Sequence, residues 1–133
     1  MNQPIDKLAW LHIQDARLLC ARSRGKAAFY LPGGKREPGE SDAEALAREL
    51  REELSIEILP ETMVHVAEFA AQADGMPPGT TVRLTCYRAE HRGQITPAAE
   101  IEEVRWIGYE DRERCSPAGK LVLDWLKDRG MIA

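Results

Sequence analysis

Residues Gly34 to Ile56 read GKREPGESDAEALARELREELSI and hold six glutamates and one aspartate within 23 residues. The same stretch carries the clearest helical pattern of the chain. Ala43, Leu46, Ala47, Leu50 and Leu54 recur at helical spacing. Ser41 and Glu44 have the S-x-x-E spacing of a capping box, which starts a helix by satisfying its first free N–H groups. A helix is therefore expected over Asp42 to Leu54. Its apolar stripe must be laid on a partner, so the rest of the chain has to supply an apolar surface.

On a helical wheel of about 100° per residue, with Glu49 at zero, Glu53 falls near about +40° and Glu52 near about −60°. The apolar stripe runs from about +60° to about +160° on the same wheel. The three carboxylates thus share a face that borders the buried stripe. Ala45 falls within that acidic face, where it would leave room. Arg48 and Arg51 lie to the other side, within reach of Glu44 or neighbouring acids. Like charges at these spacings cost a helix a few tenths of a kcal/mol per pair, more near a buried edge. A hard cation would remove the cost, and oxygen-only ligands favour magnesium or manganese over zinc. The plain alternative is a solvated charged face.

Around this helix the chain reads as strands. Lys7 to Asp15 and Arg17 to Ser23 form two, joined by a turn at Gln14-Asp15-Ala16. Ala27 to Leu31 reads as a short strand stopped by Pro32-Gly33-Gly34. His65 to Gln72, Thr81 to Glu90 and Val104 to Glu110 follow as strands, with a Gly/Pro-rich loop at Ala73 to Thr80. Ala118 to Gly130 is an amphipathic helix with Gly130 at its C-terminal end. No repeat, low-complexity tract or linker interrupts the 133 residues. The expected fold is one α/β domain with a mixed β-sheet.

Composition excludes several functions. The net charge is −4 with no basic stripe, so no stable nucleic-acid binding is expected. Cys20, Cys86 and Cys115 lack metal-ligand spacing, so zinc is not indicated. Cys20 and Cys86 read as small core residues. No signal-like start or membrane-length apolar run is present, so a cytoplasmic location is expected. His12, His65 and His91 are scattered and suggest no catalytic pair.

Gly33 and Gly34, directly after a strand, allow the backbone to approach a ligand closely and to offer a carbonyl oxygen. With this loop in place, the segment resembles the Nudix box, G-x5-E-x7-R-E-U-x-E-E-x-G-U, where U is a bulky aliphatic residue. Gly34, Glu40, Arg48, Glu49, Leu50, Glu52, Glu53 and Ile56 match at the right spacing. Ser55 departs from the pattern, standing where the box has glycine, at the turn that ends the helix. That substitution costs some stability or shifts the turn, and removes no ligand.

The resemblance implies an α/β/α sandwich and a metal-dependent hydrolase that cleaves the diphosphate of a nucleoside diphosphate derivative by attack of water. It implies Mg2+, with Mn2+ as an alternative, held by Glu49, Glu52, Glu53 and the Gly33 carbonyl, with Glu49 a ligand or an aid to deprotonation of the water. Arg48 would orient a box glutamate, and Gly34 and Glu40 would steady the loop. Some family members add a further glutamate before the last strand; Glu100 is favoured here, then Glu103, with Glu102 also present. Arg22, Arg24 and Lys26 are candidates to reach substrate phosphates, Phe29 and Tyr30 to stack on a base, and residues 73–80 to act as a lid. The short chain looks like the MutT type, converting a (d)NTP to (d)NMP and pyrophosphate. ADP-ribose, a nucleotide sugar, a dinucleoside polyphosphate or a capped RNA end are the alternatives, as is a catalytically silent nucleotide-binding module. A homodimer is compatible with the resemblance.

Overall fold

The computed structural model describes residues 3–133. The chain runs β1 (Ile5–Trp10), β2 (Ile13–Gln14), β3 (Arg17–Ser23), β4 (Gly33–Gly34), α1 (Asp42–Leu54), β5 (Glu57–Ile58), β6 (Val64–Gln72), β7 (Thr81–Arg88), β8 (His91–Arg92), β9 (Ile101–Ile107) and α2 (Pro117–Asp128). Short 3-10 turns occupy Pro60–Thr62 and Tyr109–Arg114. A four-stranded sheet has the order β4-β1-β7-β6, and a three-stranded sheet the order β2-β3-β9. β1 pairs parallel with β7, whereas its pairing with β4 is antiparallel. The sheet is mixed, as expected.

The strand expected over Lys7 to Asp15 is two strands. After Trp10 the chain changes sheets: the Leu11 N–H donates to the Tyr87 carbonyl, while the His12 carbonyl accepts from Leu19 N–H. Asp15 and Ala16 take left-handed φ of 52° and 60°. That twist suits a tight two-residue hairpin between β2 and β3.

Alternation along the strands sorts two cores. Leu8, Trp10 and Leu19 pack with Leu46, Leu50 and Leu54 of α1. Ala9, Leu11, Leu18 and Cys20 pack with Val122, Leu123 and Leu126 of α2. The sheets are thus covered by one helix on each side, in an α/β/α sandwich. Cys20, Cys86 and Cys115 are all buried free thiols.

Three other expectations need correction. Ala27 to Leu31 is not a strand: Phe29 and Tyr30 make isolated bridges to Cys115 and Ala21, pinned between two partners with no ladder. The last strand lies earlier than expected, and Tyr109 and Glu110 belong to the 3-10 turn. α2 begins one residue sooner, because Ser116 caps it through Gly119 N–H and Pro117 fills its first position.

Candidate active site

α1 is rotated further toward its acids than the wheel implied. Ala45 is fully buried in the core with Leu46, Leu50 and Leu54. It therefore fills core volume and leaves no space beside the acids. The buried arc extends across the Glu49 and Glu53 directions, and Glu53 is only 8% exposed. Glu52 falls outside that arc, with its side chain 57% exposed.

Glu49, Glu53 and Glu100 line one cleft of about 430 Å³, together with Gly33 and Gly34. The two glycines are sterically required. Gly33 has φ 145°, and a Cβ there would lie 2.0 Å from the Leu8 carbonyl oxygen. A Cβ on Gly34 would lie 2.6 Å from a Glu49 carboxylate oxygen. The backbone passes close to the acids for want of side chains, and Gly33 N–H donates to Glu53 Oε1 at 3.3 Å. The loop before β9 is tied to the end of α1: Thr96 N–H donates to Leu54 O and Ala98 N–H to Glu53 O. That tether brings Glu100 to the cleft.

The surroundings of the acids shift them in opposite directions. Burial, the Glu100 carboxyl and the Glu49 charge push Glu53 up to about 8. Burial also raises Glu49, against the opposing pull of Arg48. Glu40 is held down to about 2 because Arg48 grips it in a two-pronged ion pair, at 2.8 and 2.9 Å. The same guanidinium reaches Glu49 Oε1 at 2.9 Å and the Lys35 carbonyl at 3.0 Å, and stands 3.6 Å from Glu52. Arg48 thus stitches the loop, Glu40 and Glu49 together. It does not pair with Glu44, whose carboxylate closes the capping box on Ser41 N–H.

The other candidates divide. Lys26 and Tyr30 line the cleft; Arg22 and Arg24 do not. Arg22 is bound to Glu103 at 2.9 Å and Glu102 at 3.4 Å, and Arg24 donates to the Ala99 carbonyl. This leaves Glu100 as the one acid of its loop on the cleft wall. Phe29 is buried in the α2-side core. The Tyr30 hydroxyl hydrogen-bonds Asp74 in the 73–80 loop, which joins the burial of the ring in holding the phenol well above its ordinary range. Asp74 and Met76 bring that loop to the cleft edge. The Gln72 side chain organises it by donating to the Met76 and Pro77 carbonyls and accepting from Gly79 N–H.

Lys7, Lys35 and Asp74 also line the cleft, and sequence reasoning missed them. One signal was present for Lys7, the one cation of a strand whose other charged residue, Asp6, is bound to Arg83 and Arg36. His12 and His91 are not scattered in space: their rings lie 5.2 Å apart, and His12 stacks on Trp10 at 4.3 Å. They line a second groove that shares no residue with the cleft. Burial, His91 and Arg88 push His12 down to about 4, so it is neutral at pH 7.

Among the described residues, no three His, Cys, Asp or Glu side chains stand together as a ready-made metal cage. The donor chemistry nonetheless fits a hard cation. Glu49, Glu53 and Glu100 gather oxygens in one cleft, and no cationic side chain is paired with Glu53 among the described residues.

The profile of the NUDIX domain family matches residues 8–126. The chain has the fold of that class and belongs to the Nudix family. It is 43% identical over 58 residues to the human 8-oxo-dGDP phosphatase NUDT18, a match spanning 44% of this chain and 16% of that protein. The mouse counterpart is 39% identical over 61 residues, covering 46% of this chain and 17% of the relative. The chain thus matches less than a fifth of the length of these curated relatives. Among solved structures, the ORF135 protein of E. coli superposes with a TM-score of 0.73 and 28% identity, covering 96% of this chain and 91% of that one. A MutT Nudix hydrolase from Burkholderia pseudomallei gives a TM-score of 0.75 at 22% identity, covering 92% and 98% of the two chains, a likeness of fold.

Proposed function

We propose that the cleft hydrolyses a phosphoanhydride bond of a nucleoside diphosphate derivative, with a nucleoside triphosphate cleaved to monophosphate and pyrophosphate as the first candidate. The observation that carries this reading is Glu53. A carboxylate 8% exposed, raised to about 8 by burial and acidic neighbours, is an arrangement that costs stability unless a cation occupies it. Glu49 and Glu53, joined by the Gly33 carbonyl and by Glu52 from the helix rim, would hold the ion, magnesium with manganese as the alternative. Such an ion supplies positive charge against the diphosphate and makes water more acidic.

The chain's own groups do the rest. Arg48 fixes the direction of the Glu49 carboxylate, so Glu49 can accept a proton from attacking water without first reorganising. Glu40 fixes Arg48 in turn. Glu100 faces the same space and is the second group able to take that proton. Tyr30 offers a ring at the cleft wall for a nucleobase. The partner is a small-molecule nucleotide. 8-oxo-dGDP, the substrate named for the NUDT18 relatives, belongs in the same panel.

The test is release of phosphate and pyrophosphate from dNTPs, NTPs, 8-oxo-dGTP, 8-oxo-dGDP, ADP-ribose and dinucleoside polyphosphates, with magnesium, manganese or EDTA. Metal-dependent turnover that is lost in folded Glu52→Gln and Glu53→Gln supports the reading. Nucleotide binding with no turnover of any substrate overturns it in favour of a silent module.

A further inference from the structure

The cationic side chains around the cleft fall into two groups. Arg22, Arg36 and Arg48 lie behind the cleft wall and are each bound to carboxylates: Arg22 to Glu102 and Glu103, Arg36 to Asp6 and Asp42, and Arg48 to Glu40 and Glu49. Lys7, Lys26 and Lys35 behave differently. All three line the cleft, and among the described residues none has a carboxylate within ion-pair distance. They come from three separate places in the chain: Lys7 from β1, Lys26 from the turn after β3, and Lys35 from the residue following β4. Lys7 precedes Leu8, which is paired with Gly34, so β1 delivers it beside the glycine loop. It is half-buried, and after burial itself the fields of Lys35 and Lys26 act on it, opposed by the weaker fields of Glu53 and Glu49 across the cleft.

Three ammonium groups around one space repel each other unless an anion lies among them. The acids cannot be that anion if they hold a cation. A scissile diphosphate at the acids would be answered by the cation there. The lysines would be left for negative charge the reaction does not touch, and a free terminal phosphate supplies it, with three oxygens for three ammonium donors. A diphosphate esterified at both ends has no such group.

We propose that Lys7, with Lys26 and Lys35, holds the terminal, unesterified phosphate of the substrate, so that the cleft selects nucleotides that end in free phosphate over diphosphates esterified at both ends. This rests on the hydrolase reading above and narrows it. Lys7 binds the substrate: it fixes where the anhydride sits and takes no proton.

Two measurements test it. The first is kcat/KM for dGTP and for ADP-ribose in wild type, Lys7→Met and Lys7→Arg. Wild type should prefer dGTP. Lys7→Met should lower that preference about tenfold, mainly through KM, about 1.4 kcal/mol of selective binding. Lys7→Arg should restore most of it, and ADP-ribose turnover should barely change. The second is titration calorimetry with inorganic tripolyphosphate, which needs no turnover. Lys7→Met should weaken binding about tenfold and Lys7→Arg should not. Equal loss for both substrates, or unchanged tripolyphosphate affinity in folded Lys7→Met, overturns the inference. If wild type turns over nothing, the hydrolase reading fails and the titration alone still decides the role of Lys7. If Glu53→Gln abolishes turnover while Lys7→Met leaves selectivity intact, the reading stands and this inference falls.

Discussion

α1 and α2 are built alike and treat their acids in opposite ways. Each is amphipathic, capped by a serine side chain and packed on one side of the sheets. On α2, Asp124 accepts from Arg112 at 2.8 and 2.9 Å and from the Tyr109 hydroxyl at 2.8 Å. These partners hold its carboxyl below the ordinary range, and the protein has neutralised its own charge. On α1, Glu53 points into a cleft with two further carboxylates, and its one hydrogen bond from the backbone is a long one. Burial and those acidic neighbours hold its carboxyl well above the ordinary range. The two helices differ in whether their acids find partners within the fold.

The largest way to break the contrast is Glu53→Gln. The metal-loaded enzyme should lose about 1000-fold in kcat, measured with whichever nucleotide the panel identifies. The metal-free variant should at the same time be more stable than wild type at pH 8, by roughly 2–4 kcal/mol in urea melts. The sign follows from the raised carboxyl: with a folded value of about 8 against an ordinary 4.5, folding takes up a proton. Metal-free wild type therefore gains stability as pH falls from 8 toward 4.5, and the variant should not. A variant less stable than wild type at pH 8 would show that Glu53 is satisfied without a cation.

Arg48→Ala should have the next effect. It frees Glu40 and Glu49 together, and kcat should fall about 10- to 100-fold with a smaller change in KM. Activity that survives intact would separate the stitching of the loop from the chemistry.

Asp124→Asn sharpens the comparison from the other side. It should cost about 1 kcal/mol of stability in a thermal or urea melt, discounted for its partial exposure, and leave kcat unchanged. Asp124 contributes with the ordinary sign: its carboxyl is depressed, so its support is full above about pH 4 and is lost as pH falls through the folded value. The two helices should therefore show opposite pH slopes in their respective variants.

Ser55→Gly should do least. Ser55 ends α1 in the left-handed region, at φ 61° and ψ 29°, where a Cβ is strained. Its hydroxyl recovers part of the cost by donating to the Thr96 carbonyl at 3.2 Å. Glycine should raise stability by about 0.5 kcal/mol, read as a shift in urea midpoint with activity retained.

Much of this was legible in the chain. The limits of α1, its capping box and the approach of Gly33 and Gly34 are local matters, set by residues a few positions apart. The position of Ser55 at a left-handed turn followed from the glycine it replaces. The errors share a cause as well. Ala27 to Leu31 carried a strand-like composition, yet no neighbouring strand runs alongside it for more than a bridge. Ala45 lay on the acidic face of an isolated wheel, and packing turned that face inward.

The sequence by itself determined which residues form α1, which acids ride on it and which family the chain resembles, because helix periodicity, capping and glycine tolerance act over a single turn. The tertiary structure decided that Glu53 is buried while Glu52 is not, that Arg22 is spent on Glu102 and Glu103, and that Lys7 and Lys35 join Lys26 around one cleft. Those outcomes depend on the angle at which α1 meets the sheet and on which loop ends face each other. Desolvation and charge pairing respond to that three-dimensional neighbourhood, and distance along the chain does not measure it.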